Sequence, residues 1–533
     1  MAKQFQIIPF FLFTLFFRAT VLDAVPVRPV PQRDAVSAVQ AEASSTVTVT
    51  SFRFSGNTIL SGSELDALLA GYRMKSCTID ELRQAAAIVT KAYHDRGFLL
   101  ARAFLPVQRI ENGVVGISVL EGRVGSIVVE GNRNYSKAFI REYILAGGTE
   151  ASLSVAQVER ALLLLNSRFA DLNVSANFQA GAVPGTTDLY VRVEDGFPVH
   201  GQLSLNNYGS EYVSRYRFGA EIGWSNALRQ GSLLSIGGLV GDRIDRMRVF
   251  NAGYTMPLDT RGTMAAIQFM DGSFDVGKDF ADLGIHNNET GIDLSLSRPL
   301  IRTRTGGLNA QIGFRGSNAH YYLLDEISSK DHTRAVYAGL QGDLVHNGGR
   351  SAASLTLTQG LGDLLDGTAQ GDPLASRAGA GNDFLRLNAS LLRLQPISPV
   401  FSALVRVTGQ WSGDHLLAGE EWLIGGVNSV HGYAPGEESG DRGYAVNLAL
   451  RASPLKNREL LQLSAFLDHG HAWKKNSASR SGASLTGAGV GFYSKFDIAV
   501  PAEFRFDIGW PLDPGENSLA ESPVLYVETA IRF

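Results

Sequence analysis

The spacing of apolar residues changes once along the chain, near residue 197. Before that point, short β-prone runs alternate with stretches whose apolar residues recur every three or four positions, as on an amphipathic helix. Beyond it the period is two, as in strands with one apolar and one polar face. In the first region, residues 48–54 are β-prone and end at Gly56-Asn57. Ser61-Gly62-Ser63-Glu64 fits a capping box and opens a helix with Leu65, Leu68, Leu69 and Tyr72 on one stripe. A second box, Thr78-Ile79-Asp80-Glu81, opens a helix carrying Leu82, Ala85, Ala86, Val89 and Tyr93, which Gly97 ends. Two β-like runs follow, 99–105 and 114–120.

Residues 123–196 repeat this plan. A β-like run over 127–130 leads into Gly131-Asn132, echoing Gly56-Asn57. Ser154-Val155-Ala156-Gln157 is again a capping box, with Val158, Ala161, Leu162 and Leu165 as the buried stripe. Strands over 173–178 and 188–193 close the unit. Two copies of about 75 residues predict two small α+β domains in tandem, 48–122 and 123–196.

From 197 to 533 the alternation is regular. Tyr216, Phe218, Ala220, Ile222 and Trp224 alternate with Arg215, Arg217, Gly219, Glu221 and Gly223. Phe504, Phe506, Ile508 and Trp510 alternate with Glu503, Arg505, Asp507 and Gly509. The last run sets Leu525, Val527, Thr529, Ile531 and Phe533 against Tyr526, Glu528, Ala530 and Arg532. A soluble sandwich would bury its apolar faces in a shared core over shorter strands. A transmembrane barrel turns them to lipid and its charged faces to a wet lumen. Lipid offers backbone groups no hydrogen-bond partner, so such a sheet must close on itself. Strands of ~10 residues, with connections of similar length, give on the order of 16 antiparallel strands.

Composition narrows the class. With 44% hydrophobic and 19% charged residues and 58 glycines, the chain is neither disordered nor a helical membrane protein. A net charge of -4 without a basic run argues against nucleic acid as a partner. Cys77, the only cysteine, allows no internal disulfide and no thiolate metal cluster. At the N-terminus, Lys3 precedes an apolar run over 5–17 and small residues up to Ala24, which predicts a secretory signal peptide over 1–24. The run is shorter than the ~20 residues of a spanning helix. Pro26, Pro29 and Pro31 mark 25–47 as an extended linker.

Candidate chemistry is sparse. Gly272 to Gly277-Lys278 matches part of a phosphate-binding loop, but Asp279 stands where a hydroxyl must reach magnesium. A surface loop of the barrel and no nucleotide are expected there. His469 and His471 share a face, but of parity opposite to Asp468, so they point outward and no metal site is expected. Neither a Gly-x-Ser-x-Gly elbow nor a His-Glu-x-x-His helix occurs. No catalytic residue, no cofactor and no enzymatic activity are expected.

These parts together resemble the two-partner secretion transporters, the TpsB family of the FhaC and ShlB type, related to the BamA barrel-assembly proteins. The first repeat resembles a polypeptide-transport-associated (POTRA) domain through Phe54-Ser55-Gly56-Asn57-Thr58, Tyr93-His94-Asp95-Arg96-Gly97, Leu105-Pro106-Val107-Gln108, Asn112-Gly113 and Glu121-Gly122. The second is similar to the POTRA domain beside the family's barrel, and Asn206-Asn207-Tyr208-Gly209 resembles the opening of its first strand. In the family, one extracellular loop folds back into the lumen with a Val-Arg-Gly-Tyr tip. Here Leu423-Ile424-Gly425-Gly426 precedes Val430, His431, Gly432 and Tyr433, and Gly440-Asp441-Arg442-Gly443 follows. The family's partner motif, Phe-x-Asp-x-Gly on a barrel strand, corresponds to Phe466, Asp468 and Gly470. Leu461, Leu463 and Leu467 alternate with Phe466 and Asp468, which puts Asp468 on the luminal face. The departure is His431 in place of arginine. Arginine would clasp a carboxylate bidentately, whereas histidine donates one bond and is fully charged only when protonated.

The resemblance implies a barrel in the cell outer membrane, with its lipid around it and both POTRA domains in the periplasm. They would recognise an unfolded, β-rich secreted exoprotein of the hemolysin or adhesin kind, by strand addition at exposed sheet edges. The exoprotein would then thread the lumen as the inner loop gives way. Three rivals remain. A barrel-assembly insertase would bring more periplasmic domains, an outer-membrane lipase would need its triad, and a passive porin would carry no periplasmic domains.

Overall fold

The computed structural model describes residues 46–533 except 97, 99–100, 122, 147, 150–152, 184–185, 476–481, 498–499 and 514–522. The expected signal peptide over 1–24, nearly all of the linker over 25–47 and the helix-ending Gly97 lie outside the described residues. The described chain divides between Gly196 and Phe197 into two compact units.

The first unit holds two small three-stranded sheets. In the first sheet Ser51–Ser55 runs parallel to Val114–Leu120, whose other edge takes Arg102–Phe104 antiparallel. Helices Gly62–Leu68 and Ile79–Asp95 begin at Ser61 and Thr78. Each hydroxyl accepts from the backbone of Glu64 or Glu81, whose carboxylate accepts from the cap N–H in return. Leu82, Ala85, Ala86, Val89 and Tyr93 are buried and join Val115, Ile117 and Val119 in one core. Leu65 and Leu69 join them, but Leu68 is exposed. The helix ends there, and a 3-10 turn over Ala70–Tyr72 follows.

The second sheet repeats the topology, with Arg123–Glu130 parallel to Thr186–Asp195 and Leu172–Ala180 antiparallel beside it. Its helices are Lys137–Leu145 and Val155–Arg168. The former, a helix of nine residues with Ile140, Tyr143 and Ile144 buried, was not expected from the spacing of apolar residues. In the latter, Leu164 is buried where Leu162 was expected. Four consecutive leucines leave the phase to tertiary packing. The two sheets also share a side-chain device. Asn57 donates to Leu60 O and Asn132 to Tyr135 O. The turns that follow give their N–H groups to a carboxylate: Thr58 and Ile59 to Glu121, and Arg133, Asn134 and Tyr135 to Asp195. Burial alone would raise the Glu121 carboxyl. The bonds from Thr58 and Ile59, with one from Tyr93, outweigh it and hold the group below the usual carboxylate range.

The second unit is a closed barrel of sixteen antiparallel strands. It closes where Val524–Arg532 meets Val199–Asn206, in register from Glu528 opposite Asn206 to Arg532 opposite Gln202. Asn207 prolongs this seam, donating to Val527 O and Leu525 O while its side-chain oxygen accepts the Val527 N–H. The alternation sorts the faces as expected. Phe218, Ile222, Trp224, Leu463, Leu467 and Leu525 are exposed on the outer face, while Arg217, Asp468, Asp507 and Tyr526 are buried on the other. His286–Arg302, Gly306–Leu323 and Glu326–His346 have 17, 18 and 21 residues, well beyond the ~10 that cross a bilayer. Gly272 to Asp275, expected in a loop, belong instead to the strand Met264–Asp275, and Lys278 pairs with Glu211 beyond it. No described helix is long and apolar enough to cross a membrane.

Candidate functional site

The connection 413–441, between strands Phe401–Ser412 and Arg442–Ala452, folds into the lumen. Its root is a short antiparallel ladder, Trp422–Ile424 with Glu438–Gly440. Its tip carries Val430, His431, Gly432 and Tyr433, all buried. Asp468 waits on the inner face of the strand Gln462–Trp473, with 1% of its side chain exposed. His431 Nδ1 lies 2.5 Å from Asp468 Oδ2, which also accepts the His431 backbone N–H at 3.2 Å.

The period of two explains the rest of the strand motif. Phe466, Asp468 and Gly470 share one face. The ring of Phe466 lies 4.4 Å from that of His431. Gly470 leaves room for the loop, since a Cβ there would sit 3.0 Å from Val430 Cγ2. Two more glycines extend this trough across neighbouring strands. A Cβ at Gly487 would collide with the His431 carbonyl oxygen, and one at Gly509 would lie 2.7 Å from the Gly432 nitrogen. Gly432 itself has φ +91, and a Cβ there would lie 2.5 Å from Pro511 N. The tip sits this close because Gly470, Gly487 and Gly509 on the wall and Gly432 on the loop carry no side chain.

Residues outside the motifs complete the seat. Asn447, opposite Asp468 in the ladder, donates to Asp468 Oδ1 at 2.8 Å and to the Ser429 carbonyl. Tyr526, on the closing strand, accepts from Gly432 N at 3.0 Å and donates to Tyr433 O. Tyr433 donates to Thr486 O at 2.9 Å. The signals were a polar residue of luminal parity and an aromatic residue on the charged face of the last strand. Gly487 and Gly509 stand where strands prefer β-branched side chains, which marks a close approach of another backbone. His469 and His471 lie on the opposite face of their strand from Asp468, beside Tyr444 and Trp473. Among the described residues no group of three or more His, Cys, Asp or Glu is placed to hold a metal.

Comparison with known proteins agrees with this architecture. Residues 185–494 match the family model for haemolysin secretion/activation proteins ShlB/FhaC/HecB, and 47–122 match the ShlB-type POTRA domain. The heme/hemopexin transporter protein HuxB of Haemophilus influenzae is 24% identical over 466 residues, covering 84% of this chain and 80% of that protein. The outer membrane transporter CdiB of Dickeya dadantii is 24% identical over 481 residues, 87% of this chain and 83% of that one. The solved structure of CdiB from Escherichia coli superposes with a TM-score of 0.78 at 22% identity, covering 96% of this chain and 94% of that one. With a POTRA-type domain ahead of a closed barrel of sixteen strands, the chain belongs to the ShlB/FhaC/HecB family of outer-membrane two-partner secretion transporters.

Proposed function

We propose that this chain exports one unfolded secreted protein through its own lumen, with the loop 413–441 as the plug that gives way. The observation that carries this reading is the inner loop itself. It is fastened at its tip to Asp468 by side chains of the barrel wall, yet it is one connection that can leave without opening the sheet. A passive porin would not carry the POTRA-type domain at 47–122. The two small domains work in the periplasm as the receptor. Ser51–Ser55 and Arg102–Phe104 are the edges of the first sheet, and Arg123–Glu130 and Leu172–Ala180 those of the second. An extended segment of the exoprotein adds there through main-chain hydrogen bonds. The barrel acts without catalytic residues, cofactor or nucleotide, and folding of the exoprotein outside makes passage directional. A cargo that is β-rich, of the hemolysin or adhesin kind, suits capture by strand addition.

The test is removal of residues 48–196, with the barrel retained. Insertion into the outer membrane should persist, because every barrel strand remains, and secretion of its exoprotein should fail. Normal secretion by the truncated chain would refute the receptor role.

A further inference from the structure

The tip of the inner loop is not its only fastening. The connection 361–384, between strands Gly349–Gly360 and Leu385–Pro396, opens at the same end of the barrel as 413–441. It lies along Glu326–His346, beyond the stretch where that strand pairs with Gly349–Gly360. Thr368 N donates to His332 O, and Lys330 N to Leu374 O. Asn382, fully buried, exchanges bonds with the backbone of Arg334. From this footing the connection reaches the root of the inner loop. Ser376 donates its hydroxyl and its N–H to Asp331 on the wall, while its oxygen accepts the Ala418 N–H at 2.9 Å. Next to it, Arg377 forks onto Asp441 at 2.7 and 3.3 Å, pairs with Glu421 at 3.1 Å and donates to Leu416 O at 2.6 Å. All of these partners lie in 413–441. The side chains of Asp441 and Glu421 are 1% and 4% exposed.

We infer that the connection 361–384 is a second, outer latch on the inner loop, with Arg377 as its positioning residue. The chemistry is asymmetric. Asp441 still receives the backbone N–H groups of Leu416 and Lys475 when Arg377 leaves, but it and Glu421 are then two buried carboxylates that have lost the one cation bonded to both. The root of the inner loop is therefore stable in the lumen only while 361–384 stays down. Release of the plug requires both fastenings to open, the tip at Asp468 and the root at Arg377. The two share no residue, and the root alone is tied through Arg377 to the connection 361–384.

This inference rests on the reading of 413–441 as a plug, and ion conductance tests it without any cargo. In planar bilayers, Arg377→Ala should raise the open-channel fraction at least about tenfold over the parent, since a buried ion pair broken on one side is strongly destabilised. Arg377→Lys, which keeps the charge but not the fork, should fall between them. Retained heat-modifiable mobility in gels shows that the barrel itself is intact. The double variant Ser376→Cys with Ala418→Cys joins the two connections directly. Cys77, the only other cysteine, is buried. Oxidised, this variant should stay closed and export nothing, and reductant should restore both. Equal conductance of the oxidised and reduced forms at complete crosslinking, or of Arg377→Ala and the parent, would overturn the latch. Failure of the parent to export its cargo, with the conductance differences present, would overturn the export reading and leave the latch standing.

Discussion

His431 Nδ1 lies 2.5 Å from Asp468 Oδ2, while its Nε2 is buried between the rings of Phe466 and Tyr526 with no hydrogen-bond partner among the described residues. The histidine therefore gives the carboxylate one side-chain donor where an arginine fork would give two. Asn447 supplies the second, on Oδ1, and the His431 backbone supplies a third. The clasp is assembled from two chain segments rather than from one side chain.

That division predicts an ordering of variants. Asp468→Ala removes the acceptor of three donors and should cost about 1–3 kcal/mol of loop seating. His431→Ala should cost less. The double variant should be little worse than Asp468→Ala alone, because both act on one interaction. Asn447→Ala should open the parent channel and cost less beside His431→Arg, whose fork covers both oxygens but leaves the Ser429 carbonyl without Asn447. The open-channel fraction of each variant in a planar bilayer measures this. Additive effects of His431→Ala and Asp468→Ala would mean that the two residues act separately.

The glycine trough makes a prediction that hydrogen bonds do not. Gly487→Ala places a methyl group where the His431 carbonyl oxygen sits, yet alanine suits a strand better than glycine does. The tip should be expelled and conductance should rise, with barrel stability unchanged or improved. Thermal loss of heat-modifiable mobility separates the two effects. A variant that loses barrel stability while staying closed would place the strain in the sheet instead.

Glu121 gives the first small domain a pH dependence of known sign. Its folded-state value lies below the usual carboxylate range, held there against burial by the donors at Thr58, Ile59 and Tyr93. Its contribution is therefore complete above the unfolded value and is lost as pH falls through the folded one. Amide hydrogen exchange in full-length protein should show the turn at Thr58 and Ile59 losing protection as pH falls below the ordinary glutamate range. Glu121→Gln should lose that protection at neutral pH and show a flatter acid profile. An acid profile identical to the parent's would mean that another group carries it.

Much of this was legible in the residues. The alternation over 216–224 and 503–510 declares which side faces lipid, because a shift of one residue would turn every charge into the bilayer. Asp468 was singled out by its resemblance to the family's strand motif, and its parity put it on the luminal face. The seat was less legible for a physical reason. A loop resting on backbone leaves no side-chain signature beyond glycine, and glycines are common in this chain. Hence Gly487 and Gly509 became meaningful only beside the tip. Asn447 and Tyr526 were readable as polar or aromatic residues of luminal parity, but their partners lie across the barrel or far along the chain. Leu162 was misplaced for a related reason, since a run of four leucines has no phase of its own. Arg377 carried no motif, and only the fold brings it to Asp441.

The central claim is that the exoprotein passes through the lumen of this barrel. A photo-crosslinking residue placed at Ala449 faces the lumen, and one at Leu448, the next residue on the same strand, faces lipid. With an exoprotein stalled during export by a folded C-terminal fusion, the account predicts crosslinks from position 449 and none from 448. Crosslinks from 448 without any from 449 would contradict it.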